Sequence, residues 1–186
     1  MLSETEGMTL LKMARKAIEA YVCELTPEKC DDAHSPALNE DAGAFVTIHK
    51  DGELRGCIGT FASPNTLHKT VTDMAVSAAT RDPRFAPLSP SELEEITLEI
   101  SVLSPLKEIR DVSEIEIGRH GLYIIEGPNR GVLLPQVAVE HGMDREEFLA
   151  NTCIKAGLPA TAWMNGATIF TFEAEIFKEE EEPEGL

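Results

Sequence analysis

Apolar and polar positions change period several times along this chain, and each change marks an element. Apolar residues first fall at Leu10/Leu11, Ala14, Ala17/Ile18 and Tyr21/Val22, the spacing of one helical face. Ser3-x-x-Glu6 ahead of them has capping-box form, so a first helix is predicted over Thr5–Glu24. From Thr26 to Gly43 the period vanishes among Pro, Asp, Asn and Ser, which predicts a loop. Two strand-forming runs follow, Gly43–Ile48 and Leu54–Gly59, with Asp51-Gly52 between them as a hairpin turn. Ser63-Pro64 reads as the cap and first residue of a second helix, whose inward stripe is Leu67, Val71, Met74/Ala75 and Ala78.

Thr80–Pro87 is turn-rich and carries Arg81, Asp82 and Arg84. A short helix is predicted from Ser89-Pro90, with Glu92 completing another capping box. Ile96, Leu98, Ile100 and Val102 then alternate with Thr97, Glu99 and Ser101, as in a half-buried strand. Past Ser104-Pro105 the units shorten. A strand at Ile115–Ile117 leads into the Gly118-Arg119-His120-Gly121 turn, and strands Leu122–Glu126 and Val132–Leu134 are joined through Gly127–Gly131. Asp144 caps a helix running through Phe148, Leu149 and Cys153, which Gly157 ends. Thr168–Phe177 alternates as one further strand. Hairpins and meanders, without βαβ units, predict an α+β fold with antiparallel sheets.

Composition narrows the function classes. The chain has 186 residues, 42% of them hydrophobic, enough to bury a sizeable core. No apolar run approaches the ~20 residues of a membrane span. The first residues lack the basic start and apolar core of a signal peptide, and Cys23, Cys30, Cys57 and Cys153 are widely scattered, so a reducing cytoplasm is expected. The net charge of −17 opposes DNA, makes direct RNA binding unattractive and opposes anionic membranes. The glutamate run from Glu179 reads as a solvated acidic tail over 179–186.

Chemistry concentrates in Leu54-Arg55-Gly56-Cys57-Ile58-Gly59. Strand alternation puts Arg55 and Cys57 on one face, and a guanidinium near a thiol favours the nucleophilic thiolate. Glycines at 56 and 59 suit close approach of a ligand or another backbone. The packing reading stands beside this one, because free cysteine commonly serves as a small buried hydrophobe. Arg55 cannot be the base, so a histidine is sought. His120 lies in a tight turn, whereas His49 falls on the Cys57 face or the opposite one according to hairpin register. Asp82 and Arg84 suit an internal ion pair with Phe85 as anchor, and Arg84 also suits a substrate carboxylate or phosphate. Glu99 is an acid–base candidate, and Gln136 after Pro135 offers an amide. Cys30-x-x-x-His34 with Asp31 and Asp32 has metal-ligand chemistry but falls short of a tetrahedral set, so no metal is expected.

The six residues Leu54–Gly59 match the signature of the AMMECR domain family, called AmmeMemoRadiSam system protein A in prokaryotes. The resemblance continues through Asp82-Pro83-Arg84-Phe85, Leu98–Leu103, Ile117–Leu122, Gly131–Val137, Phe148-Leu149 and Lys155-Ala156-Gly157. One departure is Met143, where many family members carry tryptophan. The resemblance implies two lobes with the signature facing a cleft between them. The larger is placed at 1–104 and 166–178, and the smaller, inserted one at 105–165. It also implies functional association with Memo-like and radical-SAM proteins. Two functions follow as expectations. One is a catalytic or substrate-handling subunit using Cys57, with His120 and Glu99 as further catalytic candidates and Arg55, Gly56, Gly59, Arg84 and Gln136 binding substrate. The other is a non-catalytic recognition module for a protein or peptide, whose strand edge accepts an added strand.

Overall fold

Ser3 caps the first helix as its sequence predicts. The Glu6 carboxylate takes the Ser3 N–H at 2.6 Å while Ser3 Oγ accepts from the Glu6 N–H, and helix α1 runs over Glu4–Val22. The computed structural model describes residues 2–26, 35–61 and 63–179. The Cys30/His34 group and residues 180–186 of the acidic tail lie outside them. Among the described residues no helix is long and apolar enough to cross a membrane.

The fold is α+β, with two antiparallel four-stranded sheets belonging to two compact units. The first unit takes the chain up to Leu103 and the stretch from Glu175. Its strands are β1 (Ala44–Lys50), β2 (Glu53–Thr60), β3 (Ile96–Leu103) and, in chain order the last of eight among the described residues, β8 (Ala174–Lys178). They are ordered β2-β1-β3-β8. Asp51 and Gly52 both have positive φ, 53° and 75°, the two-residue turn that suits right-twisted strands. Helix α2 (Leu67–Thr80) and α1 cover one face of this sheet. Leu10, Leu11, Ile18, Val71 and Ala75 there bury Val46, Ile48, Leu98 and Ile100.

The inserted unit, Ser104–Ala174, holds β4 (Lys107–Ile109), β5 (Gly121–Glu126), β6 (Asn129–Leu133) and β7 (Thr168–Phe172), in the order β4-β7-β5-β6. Helices α3 (Pro135–Glu140) and α4 (Arg145–Lys155) complete it. Asp144 caps α4 as its sequence predicts, and Glu147 completes a capping box with it. Phe148, Leu149 and Cys153 of α4 pack with Leu122, Ile124 and Ile169.

Several expectations are corrected. Helix α2 starts at Leu67, because Ser63 Oγ accepts from Asn65 N–H, Thr66 bridges to Asp41, and the Leu67 N–H donates to Glu40 O. Ile115–Ile117 is not a strand: the Ile115 N–H donates to Val112 O and its carbonyl accepts from Arg145 Nε. Thr168–Phe177 is two strands in different sheets, interrupted where Glu173 exchanges bonds with Ser104. Residues 168–172, expected with the chain ends, therefore belong to the inserted unit. Glu179 is no tail residue either. Its carboxylate takes Arg15 Nε at 2.7 Å and the Leu98 N–H at 2.9 Å, holding it to α1 and β3.

Candidate functional site

The face on which Cys57 sits is decided by one irregularity in the hairpin. From the turn, Lys50 opposes Glu53 and His49 opposes Leu54; then the register shifts, and Ile48 opposes Gly56. Arg55 is the extra residue of a β-bulge. Beyond it Thr47 opposes Cys57, and Val46 opposes Ile58. Without the bulge, the register of the turn would pair Cys57 with the core residue Val46. With it, Gly56 and Ile58 turn to the core and Cys57 to the opposite, polar face.

That face carries a row of polar side chains across three strands. Thr47 lies between Cys57 on β2 and Glu99 on β3, and the Thr47 hydroxyl donates to Cys57 Sγ at 3.3 Å. His49 is two residues along β1, so it shares this face, and its Nε2 lies 3.9 Å from Glu99. Lys178 holds the same carboxylate at 2.7 Å. Cys57 is half-buried, neither sealed in the core nor fully open.

The loop Asp82-Pro83-Arg84-Phe85 clamps the outer edge of β2. Asp82, 4% exposed, accepts from the Cys57 N–H at 2.9 Å and from Arg84 Nε and Nη2 at 2.9 and 2.7 Å. Arg84 Nη2 also reaches the Cys57 carbonyl at 3.5 Å. The Arg84 bonds, supplemented by the backbone N–H groups of Cys57 and Arg84, hold the Asp82 carboxyl well below the usual carboxylate range. Phe85 lies between two guanidiniums, with Arg84 and Arg55 at 5.4 and 5.9 Å from its ring centre. β2 is an edge strand, yet its Cys57 N–H is already taken, which opposes strand addition at the signature.

Arg55 spends its donors away from the thiol. It makes a forked pair with Glu92 at 3.0 and 3.1 Å and donates Nη1 to the Ala86 carbonyl. Lys50 reaches the same carboxylate at 3.5 Å. These bonds, Arg55 first and the Ser89 N–H next, lower the Glu92 pKa to about 2. The glycines leave no open groove. A Cβ at Gly56 would stand 2.4 Å from the Ala78 carbonyl oxygen of α2, and one at Gly59 would stand 2.2 Å from the Phe45 ring. The close approach they permit is made by the protein's own atoms.

The remaining candidates lie in the inserted unit. His120 Nδ1 accepts from the Glu116 N–H at 3.1 Å, which leaves the proton of a neutral ring on Nε2. Gln136 sits in the first turn of α3, and its Oε1 is buried with no partner among the described residues. Met143 packs against the core of this unit. Among the described residues no three His, Cys, Asp or Glu side chains gather as a metal site.

The motifs and the fold meet in one comparison: the AMMECR1 family model matches residues 11–177. The chain belongs to the AMMECR1 family. Among its AMMECR1-type relatives, protein Mbar_A1807 of Methanosarcina barkeri is 44% identical over 97% of this chain and 94% of the relative. Protein MK0488 of Methanopyrus kandleri is 46% identical over 99% of this chain and 93% of its own. The crystal structure of protein PH0010 from Pyrococcus horikoshii superposes with a TM-score of 0.88 at 39% identity, covering 96% of this chain and 94% of that one. Sequence reasoning missed Thr47 and the grip of Asp82 on the Cys57 N–H. A bulge register for the hairpin would have pointed to Thr47, since it opposes Cys57 only when one residue of β2 is left over.

Proposed function

We propose that this AMMECR1-family chain is a catalytic or substrate-handling subunit that works through the Cys57 thiol on the polar face of its first sheet. The reading rests on one observation: Cys57 Sγ is half-buried, held by the Thr47 hydroxyl, with His49 and Glu99 on the same face. In this reading the Cys57 proton passes to His49, which Glu99 orients, and the sulfur adds to the carbon of a polarised C=O group, whose π electron pair moves onto its oxygen. Lys178 balances the Glu99 charge. The family's prokaryotic name supports extending the association with Memo-like and radical-SAM proteins to this chain. The charge of −17 supports a substrate other than nucleic acid gripped along its backbone.

Alkylation of the native chain with iodoacetamide, followed by peptide mass spectrometry, tests the reading. Cys57 is expected to react natively, while the buried Cys153 reacts only after unfolding. A Cys57 as resistant as Cys153 would overturn the proposal.

A further inference from the structure

Two arginines stand at the signature, and their donors are spent differently. Arg55 engages Nε, Nη1 and Nη2, and its side chain is 17% exposed. Arg84 gives Nε and Nη2 to Asp82 and Cys57, but the two N–H groups of its Nη1 have no partner among the described residues. Its side chain is 53% exposed. The buried Asp82 and the Phe85 ring fix this guanidinium in place, so a ligand meets the two preorganised N–H donors of Nη1 instead of a mobile side chain. Arg84 Nη2 lies 3.5 Å from the Cys57 carbonyl, so the guanidinium stands at the residue that carries the thiol.

We propose that the free edge of Arg84 is an anion subsite beside Cys57, so that the molecule handled by the thiol carries a carboxylate or phosphate group. The inference rests on the thiol reading above and adds the substrate's charge to it. A charge-assisted N–H donor of this kind bonds an oxygen of either group. Against a body of net charge −17, attraction of an anion to this thiol has to be local.

The test alkylates the native full chain with iodoacetate and, in parallel, with neutral iodoacetamide. In both, the thiolate sulfur forms a bond to the CH2 carbon and iodide leaves with the electron pair of the broken C–I bond. The ratio of the two rates is read at Cys57 and at the exposed Cys23, an internal control. The ratio at Cys57 is expected to exceed that at Cys23 by about threefold, the scale of an exposed ion pair. It should fall to the Cys23 value in Arg84→Gln and be largely retained in Arg84→Lys. Inorganic phosphate added to the wild type should slow iodoacetate at Cys57 but not at Cys23; acetate in its place distinguishes a site for carboxylates from one selective for phosphate. Equal ratios at the two cysteines, or an Arg84→Gln ratio unchanged from wild type, would remove the subsite and leave the thiol reading standing. Resistance of Cys57 to both reagents would remove the two together.

Discussion

Cys57 of the first unit and Cys153 of the inserted unit have opposite surroundings. Cys153 is fully buried on α4 among Phe148, Leu149 and Ile124, and burial pushes its thiol pKa up. It behaves as a small hydrophobe with a proton it keeps. Cys57 sits on the polar face of an edge strand, with a hydroxyl donating to its sulfur and its N–H held by a buried carboxylate. The same side chain is packing material in one unit and, in the function proposed above, a nucleophile in the other. What differs is the face on which the backbone presents it, not the residue.

Exchange of function between the two thiols is the strongest way to break this contrast. Cys57→Ala and Cys57→Ser should each abolish activity in a cellular complementation assay, with the thermal midpoint essentially unchanged. Cys153→Ser should keep activity but lose about 1–3 kcal/mol in urea denaturation, because a hydroxyl is placed in an apolar core. Full complementation by both Cys57 variants would reduce that thiol to packing as well.

The clamp on Cys57 sharpens the comparison next, since Cys153 has no counterpart to it. Asp82→Ala strands the Cys57 N–H and removes the partner of Arg84. The expected cost is about 2 kcal/mol, at the modest end for a buried carboxylate because water can reach the half-exposed Arg84. Urea denaturation measures it, and a cost near zero would show that the loop does not hold the strand.

How much of this was legible beforehand depends on which force decides each feature. Capping boxes at Ser3/Glu6 and Ser89/Glu92 and the Asp144 cap are local, and all three form as the sequence predicts. The Asp51-Gly52 turn is equally local. The face of Cys57 is not, because Arg55 becomes the extra residue only when Gly56 and Ile58 are drawn to the core by α2 and Val46. That is a tertiary choice, and strand alternation read from the sequence leaves both outcomes open for His49. The partner of Arg55 was hidden for the same reason: Glu92 is 37 residues away along the chain. Nor could periodicity divide 168–177 between two sheets, since both halves alternate alike and only the Ser104–Glu173 exchange marks the break.

Glycine substitutions probe how the hairpin presents its thiol. Gly56→Ala puts a methyl 2.4 Å from a backbone oxygen of α2, an atom that cannot move aside without shifting the helix. The expected cost is about 1–3 kcal/mol. Gly52→Ala meets nothing within 4 Å and is charged only for its φ of 75°, about 1 kcal/mol. A Gly56→Ala variant as stable as wild type would mean that the glycine stays free for a ligand and does not serve packing against α2.

The smallest expected effect separates the two arginines. The Glu92 carboxyl titrates near 2 in the folded protein, against an ordinary 4.5, chiefly because of Arg55. A carboxyl whose pKa is depressed by folding stabilises fully above its unfolded value and loses that contribution as pH falls toward the folded one. The stability difference between wild type and Glu92→Gln should therefore be constant from pH 7 down to about 4.5 and shrink between there and about 2. Asp82 weakens in acid too, but it is present in both proteins and cancels in the difference. A difference that does not change across this window would mean that the Arg55–Glu92 pair contributes nothing. The same variant releases Arg55 from its partner, so if Arg55 were the cation of the thiol, alkylation of Cys57 would change. Because the structure spends Arg55 on Glu92 and Ala86 and leaves Arg84 exposed, the Cys57 rate in Glu92→Gln should stay within about twofold of wild type, the scatter of an exposed-charge effect.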